Sequence, residues 1–227
     1  HIDGGVPNLR IVLPALNEEN IGGLLYFFGT GHSHMICEEP FYRAGGLASI
    51  YPILESDLML HEGASKSSSY ERIEGLGNVV VSHTPLGKGD VLFVASNSGR
   101  NCAVIDAALE AKKRGAITVA ITSMNHTTQV SSRHSSGLNL YQVCDYVLDN
   151  GGVAGDASVQ LPGLSQNIAP TSSVIDLTLV NLIMVNIVER MLEKGMNPPL
   201  FMSSNSDGGD KANKSVLEVY RERIPSL

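Results

Sequence analysis

Cysteine is scarce in this sequence of 227 residues. Only Cys37, Cys102 and Cys144 occur, and their odd number and wide spacing exclude a disulfide framework and a Cys-x-x-Cys metal pair. Unpaired cysteines are typical of a reducing compartment, so we expect a cytoplasmic protein. The chain opens with His1 rather than Met, and no basic segment followed by an apolar run indicates a signal peptide.

Charge is also sparse, and positive charge is the rarer sign. Charged residues make up 17% of the chain, and 16 Lys and Arg against 23 Asp and Glu give a formal net charge of −7. An acidic chain is a poor candidate for non-specific nucleic-acid binding, so we expect no nucleic-acid partner. The longest apolar region, residues 174–188, contains Asp176 and Asn181 and is too short to span a bilayer, so we expect no membrane partner.

Apolar runs and glycines are what the sequence has in quantity. Hydrophobic residues make up 43% of the chain, and 23 glycines indicate many tight turns. Apolar runs predict strands at residues 24–28, 48–54, 91–95, 116–121 and 146–148. Helical patterns predict helices at 35–44, 67–73, 101–114, 125–136, 174–193 and near 211–223. This alternation predicts an α/β fold, a three-layer αβα sandwich around a five-stranded parallel sheet.

Local signals refine three of these elements. Asn101 is the predicted N-cap of the helix that ends before Gly115. Residues 150–172 are expected to form a long loop, and Ser173 with Asp176 has the spacing of a capping box. The helix at 174–193 is apolar almost all round, which predicts a subunit interface in a homodimer or homotetramer.

Two predicted strands end in loops that could bind an anion. Residues 96–101 read Ser-Asn-Ser-Gly-Arg-Asn and lie where a helix begins, so backbone N–H groups and short hydroxyls could hold a phosphate there. An ordinary capped turn is the alternative reading. Residues 29–34 read Gly-Thr-Gly-His-Ser-His and lack the third glycine of a dinucleotide-binding loop.

Taken together, the two loops resemble those of the SIS family of sugar isomerase domains. The second loop matches the family pattern S-x-S-G-x-[ST] except at Asn101, where a hydroxyl residue is usual. Runs at 28–35, 38–46 and 61–64 are similar to a bacterial phosphoheptose-isomerase-like group. The resemblance covers roughly residues 23–195 and implies a flavodoxin-like sheet and one SIS domain over 1–227 with N- and C-terminal extensions. Family members usually begin with a long helix, a pattern that residues 1–22 do not fit.

The resemblance implies a sugar phosphate as ligand. The phosphate would lie on the second loop, and the first loop would hold the sugar or share the phosphate; a later strand end on the same edge offers further candidates. The residues expected to bind are Thr30, Gly31, Ser33, Ser96, Asn97, Ser98, Gly99, Asn101 and Thr122. Ser123 is a further, weaker candidate.

Catalysis in such a site begins with proton abstraction beside a carbonyl, which needs a carboxylate or an imidazole. We expect Glu62 to be the base, with His61 or His32 as the acid, and Glu39 or Glu71 as alternative bases. The catalytic His and Glu positions of phosphoheptose isomerase fall on Glu39 and Arg43 here, so the resemblance does not transfer that specific activity.

The leading function is therefore a sugar-phosphate isomerase, or a related lyase or etherase. The alternative is a non-catalytic domain that senses a sugar phosphate. A zinc site built on His32 and His34 with His61 or Glu62 lacks a clear third ligand, so no cofactor is expected.

Overall fold

A computed structural model of the chain describes residues 23–227. The expectation that residues 1–22 depart from the family's N-terminal helix lies outside the described residues. Five parallel strands form the central sheet, as predicted, in the order β2-β1-β3-β4-β5. They are β1 Leu25–Gly29, β2 Ile50–Ile53, β3 Val91–Ala95, β4 Ile117–Thr122 and β5 Tyr146–Asp149. This is the flavodoxin-like order, and the chain reverses its direction of winding between β1 and β3.

The strands are buried on both faces because their side chains alternate between two cores. In β1, Tyr26 and Phe28 point into one core, and Leu25 and Phe27 point into the other. Phe27 also stacks on Phe93 of β3, with ring centroids 4.9 Å apart. The predicted three-layer αβα sandwich is confirmed, since helices cover each of these cores.

Eight α-helices surround the sheet within residues 23–227. They are α1 Met35–Glu38, α2 Ala64–Tyr70, α3 Leu76–Ser82, α4 Cys102–Lys113, α5 Met124–Thr127, α6 Leu140–Val143, α7 Ser172–Glu193 and α8 Gly209–Tyr220. Helices α3, α4 and α6 contribute to the first core, and α1 and α7 contribute to the second.

Two of the predicted helices are much shorter than their sequence patterns indicate. The helix expected over 35–44 ends at Glu38, because Pro40 cannot continue its hydrogen bonds. The helix expected over 125–136 ends at Thr127. There Nδ2 of Asn139 donates to the carbonyl oxygens of Thr127 and Val130, at 3.0 and 2.9 Å, so a distant side chain binds one carbonyl group at the helix end and one beyond it.

The segment before α7 is not the loop that composition predicted. It contains an antiparallel hairpin of β6 Ala157–Val159 and β7 Ile168–Pro170. The capping box predicted at Ser173 is also wrong. Asp156 caps the helix instead, because its Oδ1 accepts hydrogen bonds from the N–H groups of Thr171 and Ser172 at 3.0 and 2.8 Å.

Helix α7 has 22 residues and, by length and composition alone, could cross a membrane; it is the one helix among residues 23–227 that meets this test. One face of the helix packs on the sheet. The side chains buried there are Leu179, Val180, Ile183, Met184 and Ile187.

Candidate functional site

The two loops singled out in the sequence lie side by side where the sheet reverses direction. Gly29 of β1 pairs with Ala95 of β3 at the carboxyl ends of these neighbouring strands. Thr30 and Ser96 are the next residues, so both loops leave the same edge of the sheet. Ligands of open parallel sheets bind in the crevice at such a switch point, which makes this edge the candidate site.

The first loop turns tightly above β1. A Cβ atom on Gly29 would lie 2.4 Å from the carbonyl oxygen of Ser33, so a side chain there would collide with the backbone. His34 holds the turn, because Nδ1 donates to the carbonyl of Gly31 and Nε2 lies 3.2 Å from Oε1 of Glu38. Both ring nitrogens of His34 therefore have partners, which fits a loop-ordering role. The hydroxyl of Ser33 has no hydrogen-bond partner in the described part of the chain.

Thr30 joins this loop to the end of α2. Its Oγ1 donates to Oε2 of Glu71 over 2.8 Å, and Thr30 is almost fully buried. The backbone carbonyl of Glu71 accepts a hydrogen bond from the N–H of Ala103, in the first turn of α4, at 3.0 Å. Glu71 is thus fixed between the first loop and the helix that follows the second loop.

The second loop folds over its own glycine. The N–H of Gly99 donates to Oγ of Ser96 at 3.1 Å. Gly99 has a φ of +60°, and a Cβ there would lie 2.9 Å from Oγ1 of Thr127, so the turn requires glycine. The hydroxyl of Ser98 makes no hydrogen bond within residues 23–227 and is available to a ligand.

Asn97 is fixed at three points and carries one unused donor. Its carbonyl accepts from Oγ1 of Thr122 and from the N–H of Ser123, both at 3.2 Å. Its Oδ1 accepts from Nδ2 of Asn150 at 3.2 Å. Its own Nδ2 is buried without a hydrogen-bond partner among the described residues, a state that an incoming acceptor would relieve.

Asn101 occupies the predicted N-cap position of α4, but its side chain does not cap the helix. Its Oδ1 instead accepts a hydrogen bond from Nη1 of Arg133 at 2.6 Å. The first turn of α4 therefore keeps backbone N–H groups that its N-cap side chain does not bind.

The residues predicted as catalytic lie in other parts of this edge. His61 and Glu62 end a short 3₁₀ turn after β2, and both are exposed. The ring of His61 lies beside that of His34, with centroids 5.7 Å apart. His32 is exposed, and the side chains of His32 and Glu62 make no hydrogen bond to the described residues. The structure thus brings Glu71, rather than Glu62, into contact with a predicted binding residue.

The described residues contain no group of side chains that supports the zinc site considered from the sequence. Within residues 23–227, no three His, Cys, Asp or Glu side chains come together as a group that could hold a metal ion. Glu39, the other alternative base, is engaged elsewhere, because its Oε1 accepts from Arg43 and, at 2.8 Å, from Nδ2 of Asn181 on α7.

Comparison with known proteins identifies the chain. The family model of the SIS domain matches residues 13–123. The UPF0309 protein of Geobacillus kaustophilus is 47% identical over 206 residues, which cover 91% of this chain and 82% of that protein. The chain belongs to the UPF0309 family. The UPF0309 protein of Caldanaerobacter subterraneus is 44% identical over 206 residues, 90% of this chain and 84% of that protein.

A solved structure supports the fold of this UPF0309 chain independently. A phosphoheptose isomerase from Francisella tularensis superposes with a TM-score of 0.50 and 15% identity, covering 82% of this chain and 88% of that one. At this identity the likeness concerns the fold alone. The predicted resemblance to SIS domains and to a phosphoheptose-isomerase-like group is confirmed.

A buried carboxylate lies behind the second loop, a role that the sequence did not predict for Asp176. Oδ1 of Asp176 on α7 accepts from Nδ2 of Asn150 at 2.9 Å, and Asn150 in turn donates to Asn97. Burial raises the pKa of Asp176 to about 6, against the lowering effect of the Asn150 hydrogen bond. This carboxylate therefore links the long helix to the candidate ligand loop of the SIS domain.

Proposed function

We propose that this protein binds a phosphorylated sugar at the switch point between β1 and β3 and moves a proton on it, as an isomerase or a related lyase. One observation carries the proposal: the two glycine loops meet there and retain unused donors. Nδ2 of Asn97 and the hydroxyls of Ser98 and Ser33 have no partner in the described structure.

The phosphate belongs on the second loop. Oxygen atoms of a phosphate monoester accept several hydrogen bonds, and bonds to a charged acceptor are about twice as strong as neutral ones. The hydroxyl of Ser98 is a suitable donor, and so are the N–H groups in the first turn of α4 other than that of Ala103, which already bonds Glu71. The positive end of the α4 dipole adds to the attraction for an anion.

Glu71 is the base that the geometry favours. A base that interconverts an aldose and a ketose takes the proton from C2 of the open-chain sugar, and the resulting enediol is reprotonated at C1. Oε2 of Glu71 already contacts Thr30 in the first loop, whereas Glu62 is exposed and lacks such a contact. Glu62, with His61 or His32 as acid, remains the prediction from the sequence against which Glu71 is tested.

The proposal includes a cytoplasmic homo-oligomer. The three cysteines are free, as expected in a reducing compartment. Helix α7 exposes an apolar stripe, since Val174, Val185 and Leu192 are 70, 47 and 59% exposed and their spacing places them on one helix face. A second subunit would bury this stripe.

Proton exchange in heavy water tests the activity directly. The protein is incubated in D₂O with ribose 5-phosphate, glucose 6-phosphate or sedoheptulose 7-phosphate, and NMR follows deuterium at the carbon atoms beside the carbonyl. We expect enzyme-dependent incorporation with at least one of them. Tight binding without any incorporation would overturn the enzymatic proposal and favour the sensor. Equal affinity for the phosphorylated and the unphosphorylated sugars would overturn the binding proposal as well.

A further inference from the structure

The chain departs from the SIS loop pattern at position 101, and an arginine from another part of the chain contacts the residue found there. Where the pattern has Ser or Thr, whose hydroxyl can donate to a phosphate, Asn101 presents its Oδ1 to Nη1 of Arg133 at 2.6 Å. Asn101 is almost fully buried, so this contact is part of the folded loop. The guanidinium of Arg133 therefore lies next to the side chain that replaces the usual hydroxyl residue.

The backbone holds Arg133 in this position. Its N–H donates to the carbonyl of Arg100 at 2.8 Å, and its own carbonyl accepts from Sγ of Cys102 at 3.3 Å. The next residue, His134, lies with Nε2 at 3.1 Å from Oδ1 of Asp106, a buried residue of α4. These contacts attach the segment on both sides of Asn101, so they fix the backbone of Arg133, while its side chain is exposed and bonds Asn101.

Three arginines lie close together here, and none of them forms an ion pair with a carboxylate among the described residues. Arg72 and Arg100 lie near Arg133, and the pKa of Arg133 is lowered first by burial and then by these two charges. Within residues 23–227, none of the three arginines forms an ion pair with a carboxylate within 4.0 Å. Glu71 is the nearby acidic group that acts in the opposite direction on Arg133. The chain as a whole has a net charge of −7, so this local group of positive charges is a place where an external anion would be attracted.

We propose that Arg133 is a phosphate-binding residue, positioned by Asn101, and that it replaces the hydroxyl missing from the second loop. This inference rests on the proposed function and extends it to a residue outside both loops. A guanidinium can donate two parallel hydrogen bonds to one phosphate, a geometry that lysine lacks. The ligand class that fits is a sugar carrying a dianionic monophosphate, with Arg100 and Arg72 adding charge around it.

The experiment compares the affinities of the wild type and Arg133→Gln for whichever of ribose 5-phosphate, glucose 6-phosphate and sedoheptulose 7-phosphate the wild type binds best. We expect a loss of about 10- to 100-fold in affinity, because a hydrogen bond between charged groups disappears. Affinity for the same sugar without its phosphate should not change. The control is Arg114→Gln at the far end of α4, about 20 Å away by helical rise, which should bind as the wild type does.

Two further variants keep the test informative. Arg133→Lys retains the charge but not the paired donors, so it should lie between the wild type and Arg133→Gln, even if the latter folds poorly. Asn101→Thr combined with Arg133→Gln restores the family's hydroxyl and should regain part of the affinity.

The possible failures can be told apart. If Arg133→Gln folds and binds the sugar phosphate as well as the wild type does, the role of Arg133 is wrong while the proposed function stands. If Arg133→Gln folds poorly, unchanged affinity in Arg133→Lys has the same meaning. If the wild type does not distinguish the sugar phosphate from the free sugar, the proposed function itself fails.

Discussion

Oγ1 of Thr30 donates a hydrogen bond of 2.8 Å to Oε2 of Glu71, across 41 positions of the chain. The contact joins a predicted binding residue to a carboxylate at the end of α2. The contact also distinguishes Glu71 from the other candidate base, Glu62, because Glu62 lies exposed after β2. The choice between the two candidates can be decided with matched amide variants.

Replacement of Glu71 by Gln should lower turnover by about 10²- to 10⁴-fold, the usual contribution of a general base. The amide preserves the shape of the side chain and can still accept from Thr30, so substrate affinity should change little. Rates and affinities are measured for Glu71→Gln and Glu62→Gln on the same sugar phosphate. A large loss of rate in Glu62→Gln with normal turnover in Glu71→Gln would reverse the assignment.

The start of α7 depends on a single side chain, Asp156. Its carboxylate accepts two backbone N–H groups and the hydroxyl of Ser172, the last at 2.8 Å. Asp156→Ala should therefore reduce the free energy of unfolding by about 1–2 kcal/mol, the usual cost of losing a helix cap. Urea denaturation measures the change, and Asp207→Ala, at an exposed position before α8, is the control. Equal losses in the two variants would contradict the capping role.

Asp176 should make stability depend on pH. Its pKa is raised from 3.8 to about 6 in the folded protein, so the folded state binds its proton more tightly than the unfolded state. The resulting stabilisation is complete below about pH 4 and is lost as pH rises through about 6. The shift corresponds to about 3 kcal/mol, at 1.36 kcal/mol per pKa unit.

Asp176→Asn isolates this effect, because the amide oxygen can still accept from Asn150. Relative to the wild type, the variant should gain stability by up to about 3 kcal/mol between pH 4 and pH 7. Denaturation curves of both proteins across this range measure the difference. A difference that does not vary with pH would show that Asp176 titrates normally.

The exposed apolar stripe of α7 should hold two subunits together. Val185 is 47% exposed in the middle of this stripe, so Val185→Asp would place a charge in the expected interface. Sedimentation at micromolar concentration should give a dimer or tetramer for the wild type and a smaller species for Val185→Asp. The matched control is Val219→Asp on α8, which is 65% exposed. A monomeric wild type would rule out this assembly.

Local signals were sufficient to predict the sheet. Residues 91–95 form a continuous apolar run before a polar turn, and they are β3 without any shift of its bounds. The two glycine loops were also visible in the sequence, because each follows such a run directly. Parallel strands present their carboxyl ends at one edge, so the meeting of these loops followed from the predicted sheet.

The predictions of helix ends and caps that were wrong share one cause. In each case a contact between residues far apart in the chain decides the structure. The helix after β4 is short where Asn139 binds the carbonyl of its last residue, Thr127, and α7 is capped by Asp156 rather than by its own first turn. Asn101 has the residue type of an N-cap, but its side chain instead accepts a hydrogen bond from Arg133, 32 residues later. Residue types and spacing cannot predict which distant partner will compete for a side chain.

The same limit applies to the site. Glu71 was one of several acidic residues near the second strand, and its contact with Thr30 depends on how α2 packs. Arg133 carried no motif, and the capping-box spacing of Asp176 with Ser173 predicted a different role for that carboxylate. Their roles depend on the segment after α5 and on α7, which only the folded chain brings to the second loop.

The most direct test of the central claim is the calorimetric affinity for a sugar phosphate before and after removal of the hydroxyls of Ser96 and Ser98. The double alanine variant should lose about 2–4 kcal/mol of binding free energy, at about 1–2 kcal/mol for each bond to the charged phosphate. A control that replaces Ser82 and Ser215, both exposed on other helices, should bind normally. A correctly folded Ser96→Ala, Ser98→Ala protein with wild-type affinity would contradict the assignment of this loop to phosphate.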